Sequence, residues 1–169
     1  SDTEVVLAAI ELWGFPKAVG EFNGMFAIAA WDRQERLLYL SRDRFGEKPL
    51  YYAKQDAGVF FGSELKAFRA NPRFRAAVNR EAITLLLRYG YMPAPVSIYE
   101  GVEKVAAGCY LVVDGRSGRC TPVTYWSASA TAETCSVQMF RGTDEEAVRE
   151  AATLLLDAVR MRMVSDVPL

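Results

Sequence analysis

The sequence predicts an α+β fold in which antiparallel β-hairpins lie between helical segments at the two ends of the chain. Three observations support this prediction. Residues 1–13 have helical periodicity, three pairs of short apolar runs are each joined by a polar turn, and a long amphipathic pattern closes the chain. With 169 residues, 51% of them hydrophobic, the chain can form one domain with a real core, or one domain and a small part of another.

The first element is a helix over residues 1–13. Ser1 is suited to the N-cap position and Glu4 to the third helical position, which together make a capping box. Gly14 and Pro16 are expected to end this helix. Its apolar residues recur at helical spacing and comprise Val5, Val6, Ala9, Ile10 and Trp13.

Three β-hairpins are expected in the middle of the chain. They pair residues 24–31 with 37–42, residues 50–54 with 59–62, and residues 109–113 with 120–125. Residues 24–31 are apolar at almost every position, which predicts a strand that is buried on both faces.

Two short helical segments are expected between the second and third hairpins. Ser63 is the predicted cap of a helical turn that reaches Phe68, and Asn79 is the predicted cap of a helix that reaches about Tyr89. Residues 90–95 contain one glycine and two prolines, so an irregular, extended crossing is expected there.

The C-terminal part is predicted to contain a linker and one long helix. Residues 127–136 are rich in Ser, Ala and Thr, as linkers often are. Thr143 and Glu146 form a second capping box, and helical spacing of apolar residues follows over residues 144–163.

Composition and charge argue against several classes of function. The net charge is -1 and no basic block is present, so binding to nucleic acid has no electrostatic support. The longest apolar stretches, such as residues 25–31, are far shorter than the roughly 20 residues that span a bilayer. The sequence has no His, which excludes a Ser–His or Cys–His catalytic pair within these residues.

The three cysteines, Cys109, Cys120 and Cys135, are odd in number and widely spaced. This pattern is typical neither of a disulfide framework nor of a zinc site, so no metal ligands are predicted. The expected compartment is reducing, that is, cytoplasmic.

Two motifs resemble the glutamine-hydrolysing asparagine synthetases. Residues 42–52 read RDRFGEKPLYY and residues 63–68 read SELKAF. Three further segments, at 1–5, 22–27 and 160–169, resemble that family's glutamine-binding segment, the strand entry that follows it, and the approach to its synthetase domain.

The resemblance implies a fold and a domain arrangement. Residues 1–126 would be the C-terminal part of a class II glutamine amidotransferase domain, an incomplete αββα four-layer sandwich of the N-terminal-nucleophile (Ntn) hydrolase type. Residues 127–142 would be a linker. Residues 143–169 would begin an α/β synthetase domain of the ATP-pyrophosphatase type, with its first helix.

The resemblance also implies the chemistry of a longer enzyme. That enzyme would hydrolyse glutamine to ammonia and use ATP and Mg2+ to amidate aspartate or a related acceptor. The family's catalytic Cys precedes the segment that resembles residues 1–5, and its nucleotide-binding loop follows the segment that resembles residues 165–168. We therefore expect residues 1–169 to be an internal part of a longer chain. Taken alone, this part would contain no catalytic residue, bind no cofactor and be inactive. Whether the longer enzyme forms a homodimer is left open.

Asp2 is the predicted glutamine-binding residue. In the family this Asp receives the α-amino group of glutamine, and an ammonium ion needs a fixed carboxylate with which to make a charge-assisted hydrogen bond. The alternative is that Asp2 only complements the dipole of the first helix. An N-terminal Ser can also act as a nucleophile, but capping accounts for Ser1 fully.

A dense charge cluster is the second candidate feature. It could frame the inner end of the glutamine site or an ammonia passage, or its charges could form ion pairs that fix the loop before residues 51–52. Ion pairing predicts that Asp43→Ala leaves at least one Arg unpaired in a poorly solvated place. The cluster consists of Arg42, Asp43, Arg44 and Lys48, with Glu64 as a predicted structural partner of Arg42 or Arg44.

Two other functions remain open. One is a cyclase of the β-lactam synthetase type, which shares the two-domain plan without glutaminase activity and would not need Asp2. The other is a non-catalytic interaction module.

Overall fold

The computed structural model describes residues 1–56 and 58–163, and it divides the chain into two compact units, Ser1–Ser127 and Ala128–Leu169. The first unit contains a four-stranded antiparallel sheet of strand order β1-β2-β6-β7 and a three-stranded antiparallel sheet of order β4-β3-β5. The strands are β1 Ala27–Asp32, β2 Leu37–Arg42, β3 Tyr51–Gln55, β4 Gly58–Gly62, β5 Val102–Lys104, β6 Cys109–Asp114 and β7 Cys120–Thr124.

The helices are α1 Asp2–Trp13, α2 Phe15–Glu21, α3 Leu65–Ala70, α4 Arg80–Tyr89, α5 Ala128–Val137 and α6 Asp144–Arg162. No helix within the described part of the chain is long and apolar enough to span a bilayer.

Helices α1 and α2 pack on one face of the four-stranded sheet. Phe15 of α2 stacks on Tyr39 of β2 with ring centroids 4.4 Å apart, and it meets Tyr110 of β6 edge to face at 5.6 Å. Val19 of α2 and Ile10 of α1 complete this contact. The short helix α2 therefore fixes the start of the chain on the sheet through Phe15 and Val19.

The second core lies between the two sheets. Side chains alternate along a strand, so Leu40 of β2 points to the face opposite Tyr39. Leu40 packs with Leu111 and Val113 of β6, while Tyr52 of β3 and Val59 of β4 approach from the three-stranded sheet.

The third core covers the other face of the three-stranded sheet. Phe68 of α3 and Phe74 are buried against Ala53 of β3 and Val102 of β5. The first unit is thus built as helices, sheet, sheet and helix.

The three predicted hairpins are confirmed, as is the helix capped by Asn79. The Asn79 side chain accepts hydrogen bonds from the backbone of Glu81 and Ala82, and Gly90 ends α4 in the left-handed conformation at φ 77°.

Two expectations about the first unit were wrong, and two elements were not predicted. Helix α1 ends at Trp13 before Gly14, as predicted, but Pro16 lies in the first turn of α2, a helix that was not predicted. Glu64, not Ser63, is the N-cap of α3. Strand β1 is an edge strand of its sheet with Trp31 50% exposed, so it is not buried on both faces. Strand β5 was not predicted at all.

The second unit begins within the segment that was expected to be a linker, where α5 forms. Helix α6 starts as predicted: the Thr143 hydroxyl accepts from the Glu146 backbone at 3.2 Å, and the Glu146 carboxylate accepts from the Thr143 backbone at 2.8 Å. Residues 164–169, which carry much of the resemblance at the C-terminal end, lie outside the described residues.

Candidate functional site

A cleft of about 1070 Å³ lies between α1 and the β1 strand. Its polar and charged residues include Asp2 and Thr3 from the start of α1, Asp32 at the end of β1, Lys48 from the loop that precedes β3, and Ser63. Its wall is largely apolar and includes Val6, Leu7, Ile10, Phe15, Met25 and Phe26. The cleft therefore combines an apolar wall with a few charged groups at its rim, as small-molecule sites do.

Asp2 is exposed in the first turn of α1 and lines this cleft, as its predicted ligand-binding role requires. Its carboxylate has no hydrogen-bond partner within the described residues. The backbone nitrogen of Ser1 donates to the Glu4 carboxylate at 2.5 Å, so Glu4 closes the helix start and Asp2 is not needed there. Because Glu4 makes this contact, the Asp2 carboxylate is available to a cationic group in the cleft.

The guanidinium of Arg42 is occupied by backbone carbonyl groups. Its Nε donates to the Lys48 oxygen at 2.8 Å, one terminal nitrogen donates to Val105 at 3.0 Å, and the other donates to Gly46 at 2.5 Å. Gly46 has φ 67°, and a Cβ atom there would lie 2.9 Å from the Arg42 Cζ. Arg42 thus fixes the loop after β2, and glycine is required where the guanidinium packs on it.

Asp43 is the most deeply buried charged residue of the first unit, with no exposed surface. Its Oδ1 accepts from the backbone of Glu47 at 2.9 Å, and its Oδ2 accepts from Lys48 at 2.9 Å and Phe26 at 3.3 Å. Burial raises the pKa of the Asp43 carboxyl. The hydrogen bonds from the Lys48, Glu47, Phe26 and Gly46 amides outweigh burial, so the pKa stays below its ordinary value.

These contacts correct the predicted ion pairs. Arg42 and Asp43 bind backbone groups and not each other, and two of these groups, the Val105 carbonyl and the Phe26 amide, lie outside the loop. Arg44 donates to the Gly20 carbonyl at 2.7 Å. Glu64 pairs with Lys66 at 2.6 Å and not with Arg42 or Arg44, so it stays outside the cluster.

Tyr125 joins the cluster from the end of β7. Its hydroxyl donates to the Arg42 carbonyl at 2.8 Å. Burial raises the pKa of Tyr125 to about 12, with Arg44 opposing the rise and Asp43 and Cys109 adding to it.

The structure brings Asp2 and Lys48 to one cleft, and it places Arg42 and Asp43 behind the loop that carries Lys48. No Cys lines this cleft within the described residues. Phe26 and Ser63 also line the cleft, which was not predicted from the sequence. The only sequence signal for them was their place inside two of the motifs.

Comparison with known proteins gives a family match over residues 1–126, to the family described as glutamine amidotransferase domain. A Methanocaldococcus jannaschii protein provisionally named asparagine synthetase (glutamine-hydrolyzing) 2 is 34% identical over 99% of this chain and 32% of its own length. Asparagine synthetase (glutamine-hydrolyzing) 3 of Bacillus subtilis is 32% identical over 99% of this chain and 26% of its own length. Amidase chry2 of Gibberella zeae is 32% identical over 99% of this chain and 24% of its own length. The chain therefore spans a third or less of the length of these relatives.

Proposed function

The chain belongs to the glutamine amidotransferase domain family, and on that basis we propose that it forms the glutamine pocket of a glutamine-hydrolysing asparagine synthetase. The observation that carries the proposal is the Asp2 carboxylate, which lines a largely apolar cleft and has no hydrogen-bond partner among residues 1–56 and 58–163. The names of two relatives, which both include glutamine hydrolysis and asparagine synthesis, support the same conclusion.

The chemistry of the cleft suits an amino acid ligand. Glutamine has an ammonium group that needs a fixed carboxylate, and Asp2 offers one on a helix whose start is already capped. A charge-assisted hydrogen bond is roughly twice as strong as a neutral one, so this contact would dominate recognition of the α-amino group. The apolar wall would pack against the methylene groups of the ligand.

In this proposal the whole protein releases ammonia from glutamine and uses ATP and Mg2+ to amidate aspartate or a related acceptor. The 169-residue chain supplies the wall of the glutamine pocket, binds glutamine and does not hydrolyse it. A cytoplasmic location belongs to the same proposal. A cyclase of the β-lactam synthetase type is less favoured, because it would not need Asp2 and the relatives are named as glutamine-hydrolysing.

We assign the first unit to the Ntn-type αββα sandwich. Its order of helices, sheet, sheet and helix supports this assignment. Residues 143–169 would begin the synthetase domain, with α6 as its first helix.

Calorimetric titration with L-glutamine tests the proposal. We expect the wild-type chain to bind and Asp2→Asn to bind more than about tenfold more weakly, because a hydrogen bond to a charged group contributes about 1.5–3 kcal/mol. Glu4→Gln is the matched control, since it removes an exposed negative charge from the same helical turn while Gln keeps the capping box. Equal affinity of the wild type and Asp2→Asn would refute the assignment of Asp2.

A further inference from the structure

The carboxylate of Asp43 joins two segments of chain that are distant in sequence. Its hydrogen-bond donors are Phe26, 17 residues away, and Glu47 and Lys48, four and five residues away. Burying a carboxylate is strongly unfavourable unless its hydrogen bonds are made, and here they are made with backbone amides. By accepting hydrogen bonds from both segments, the buried Asp43 carboxylate restrains the distance between them.

Both segments form walls of the cleft that contains Asp2. Phe26 lies where the chain enters β1, and Lys48 lies at the end of the loop that follows β2. The same Asp43 carboxylate oxygen, Oδ2, accepts from both residues. One carboxylate oxygen therefore contacts both walls, and the Asp43 amide, which donates to the Phe26 carbonyl at 3.0 Å, holds the Phe26 wall a second time.

Arg42 reinforces one of the walls from the other side. It binds the carbonyl oxygens of Gly46 and Lys48, while Asp43 binds the amides of Glu47 and Lys48. Arg42 therefore holds carbonyl groups of the loop, and the next residue, Asp43, holds amide groups of the same loop. The loop cannot shift without breaking charge-assisted hydrogen bonds.

We propose that Asp43 is a positioning residue for the cleft, which sets the spacing of its Phe26 and Lys48 walls for an amino acid ligand held by Asp2. The inference rests on the proposed function, because it concerns the same ligand. Asp43 has no contact with the ligand in this scheme, since it is wholly buried behind the loop.

Asparagine at this position tests the proposal because Asp43 uses both carboxylate oxygens. An amide offers one accepting oxygen, so either Glu47 or the pair formed by Phe26 and Lys48 would face an NH2 group. Asp114 is the matched control, since its Oδ1 alone accepts from Arg116 at 2.7 Å and Ser117 at 2.9 Å, and asparagine can keep both bonds. Asp114 does not line the cleft.

The experiment is calorimetric titration of L-glutamine into each chain, at a temperature where circular dichroism shows that the chain is fully folded. We expect Asp43→Asn to weaken binding about tenfold or more, since small displacements of a built site have large effects. Asp114→Asn should bind within roughly twofold of the wild type. Val102→Ala, which destabilises the core under α3 and lies outside the cleft, should lower the urea midpoint but also leave affinity within roughly twofold.

The outcomes separate the two proposals. If the wild type does not bind glutamine, the proposed function fails and the inference fails with it. If the wild type binds and Asp43→Asn binds equally well, only the inference fails. It also fails if Val102→Ala loses as much affinity as Asp43→Asn, because the effect would then follow stability alone.

A measurement on the wild type covers the case in which Asp43→Asn does not fold. Hydrogen exchange of the Phe26 and Lys48 amides should slow together when glutamine binds, because both donate to the same carboxylate oxygen. Unchanged exchange at both amides in the presence of saturating glutamine would overturn the proposal.

Discussion

Replacing Asp43 by Asn should destabilise the first unit strongly. If the new Oδ1 keeps the bond from Glu47, the amides of Lys48 and Phe26 lose their acceptor. Each buried amide left without a partner costs about 1–3 kcal/mol. Because the contact to Phe26 is the longer one, at 3.3 Å, we expect a total loss of about 2–4 kcal/mol.

Urea unfolding followed by circular dichroism at neutral pH measures this loss. With a urea dependence of about 1–3 kcal/mol per molar, the midpoint should fall by about 1–2 M. Asp114→Asn should change the midpoint far less, since the Oδ1 of Asp114 accepts from the backbone amides of both Arg116 and Ser117 and asparagine keeps that oxygen.

The loss should also depend on pH in a defined direction. The pKa of Asp43 is lower in the folded state than in the unfolded state, so its ionised form stabilises the fold. This contribution is complete above the unfolded value of about 3.9 and disappears as pH falls through the folded pKa. The difference between the wild type and Asp43→Asn should therefore be constant from about pH 5 to 8 and shrink below about pH 4. A difference under about 0.5 kcal/mol at neutral pH would refute the role of the buried carboxylate.

Three further predictions follow from single contacts. Gly46→Ala should lower the free energy of unfolding in urea by about 1–2 kcal/mol, because its φ is 67° and a Cβ atom there would lie 2.9 Å from the Arg42 guanidinium carbon, whereas Gly20→Ala, in open space within α2, should be neutral or stabilising. Thr143→Ala should destabilise α6 by about 1 kcal/mol and speed hydrogen exchange in its first turn, because it removes the N-cap hydroxyl. Thr153→Ala, which removes a hydroxyl in the middle of the helix, should leave the exchange rates of the first turn unchanged. Burial raises the pKa of Tyr125 to about 12, so its neutral form stabilises the fold below pH 10, and this stabilisation is lost as pH rises toward 12. The free energy of unfolding of Tyr125→Phe should therefore fall less steeply above pH 10 than that of the wild type, and equal slopes would contradict the assignment.

Local sequence signals predicted the elements whose partners are close in the chain. The hairpins follow from apolar runs on either side of short polar turns, and the helix starts at Asn79 and Thr143 follow from side chains that reach the next turn. Helix α2 was missed because Pro16 was interpreted as a stop, although proline is also favoured in a first helical turn.

The arrangement behind the cleft depended on contacts between distant residues. The charges of mixed sign within residues 42–48 predicted ion pairs. Arg42 and Asp43 are neighbours at the end of a strand, however, and side chains of neighbouring strand residues point in opposite directions. That geometry argues against a pair between them, and the backbone partners at Val105 and Phe26 could be identified only from the fold.

The most direct test of the proposed glutamine pocket is to locate bound glutamine on the folded chain by titration of a 15N-labelled sample. We predict saturable shifts of the backbone amides of Asp2, Thr3, Phe26 and Lys48 with L-glutamine, and loss of these shifts in Asp2→Asn. The Asp114→Asn chain should retain the same pattern. Saturable shifts that map to another surface, or none at these four amides at saturating glutamine, would contradict the account.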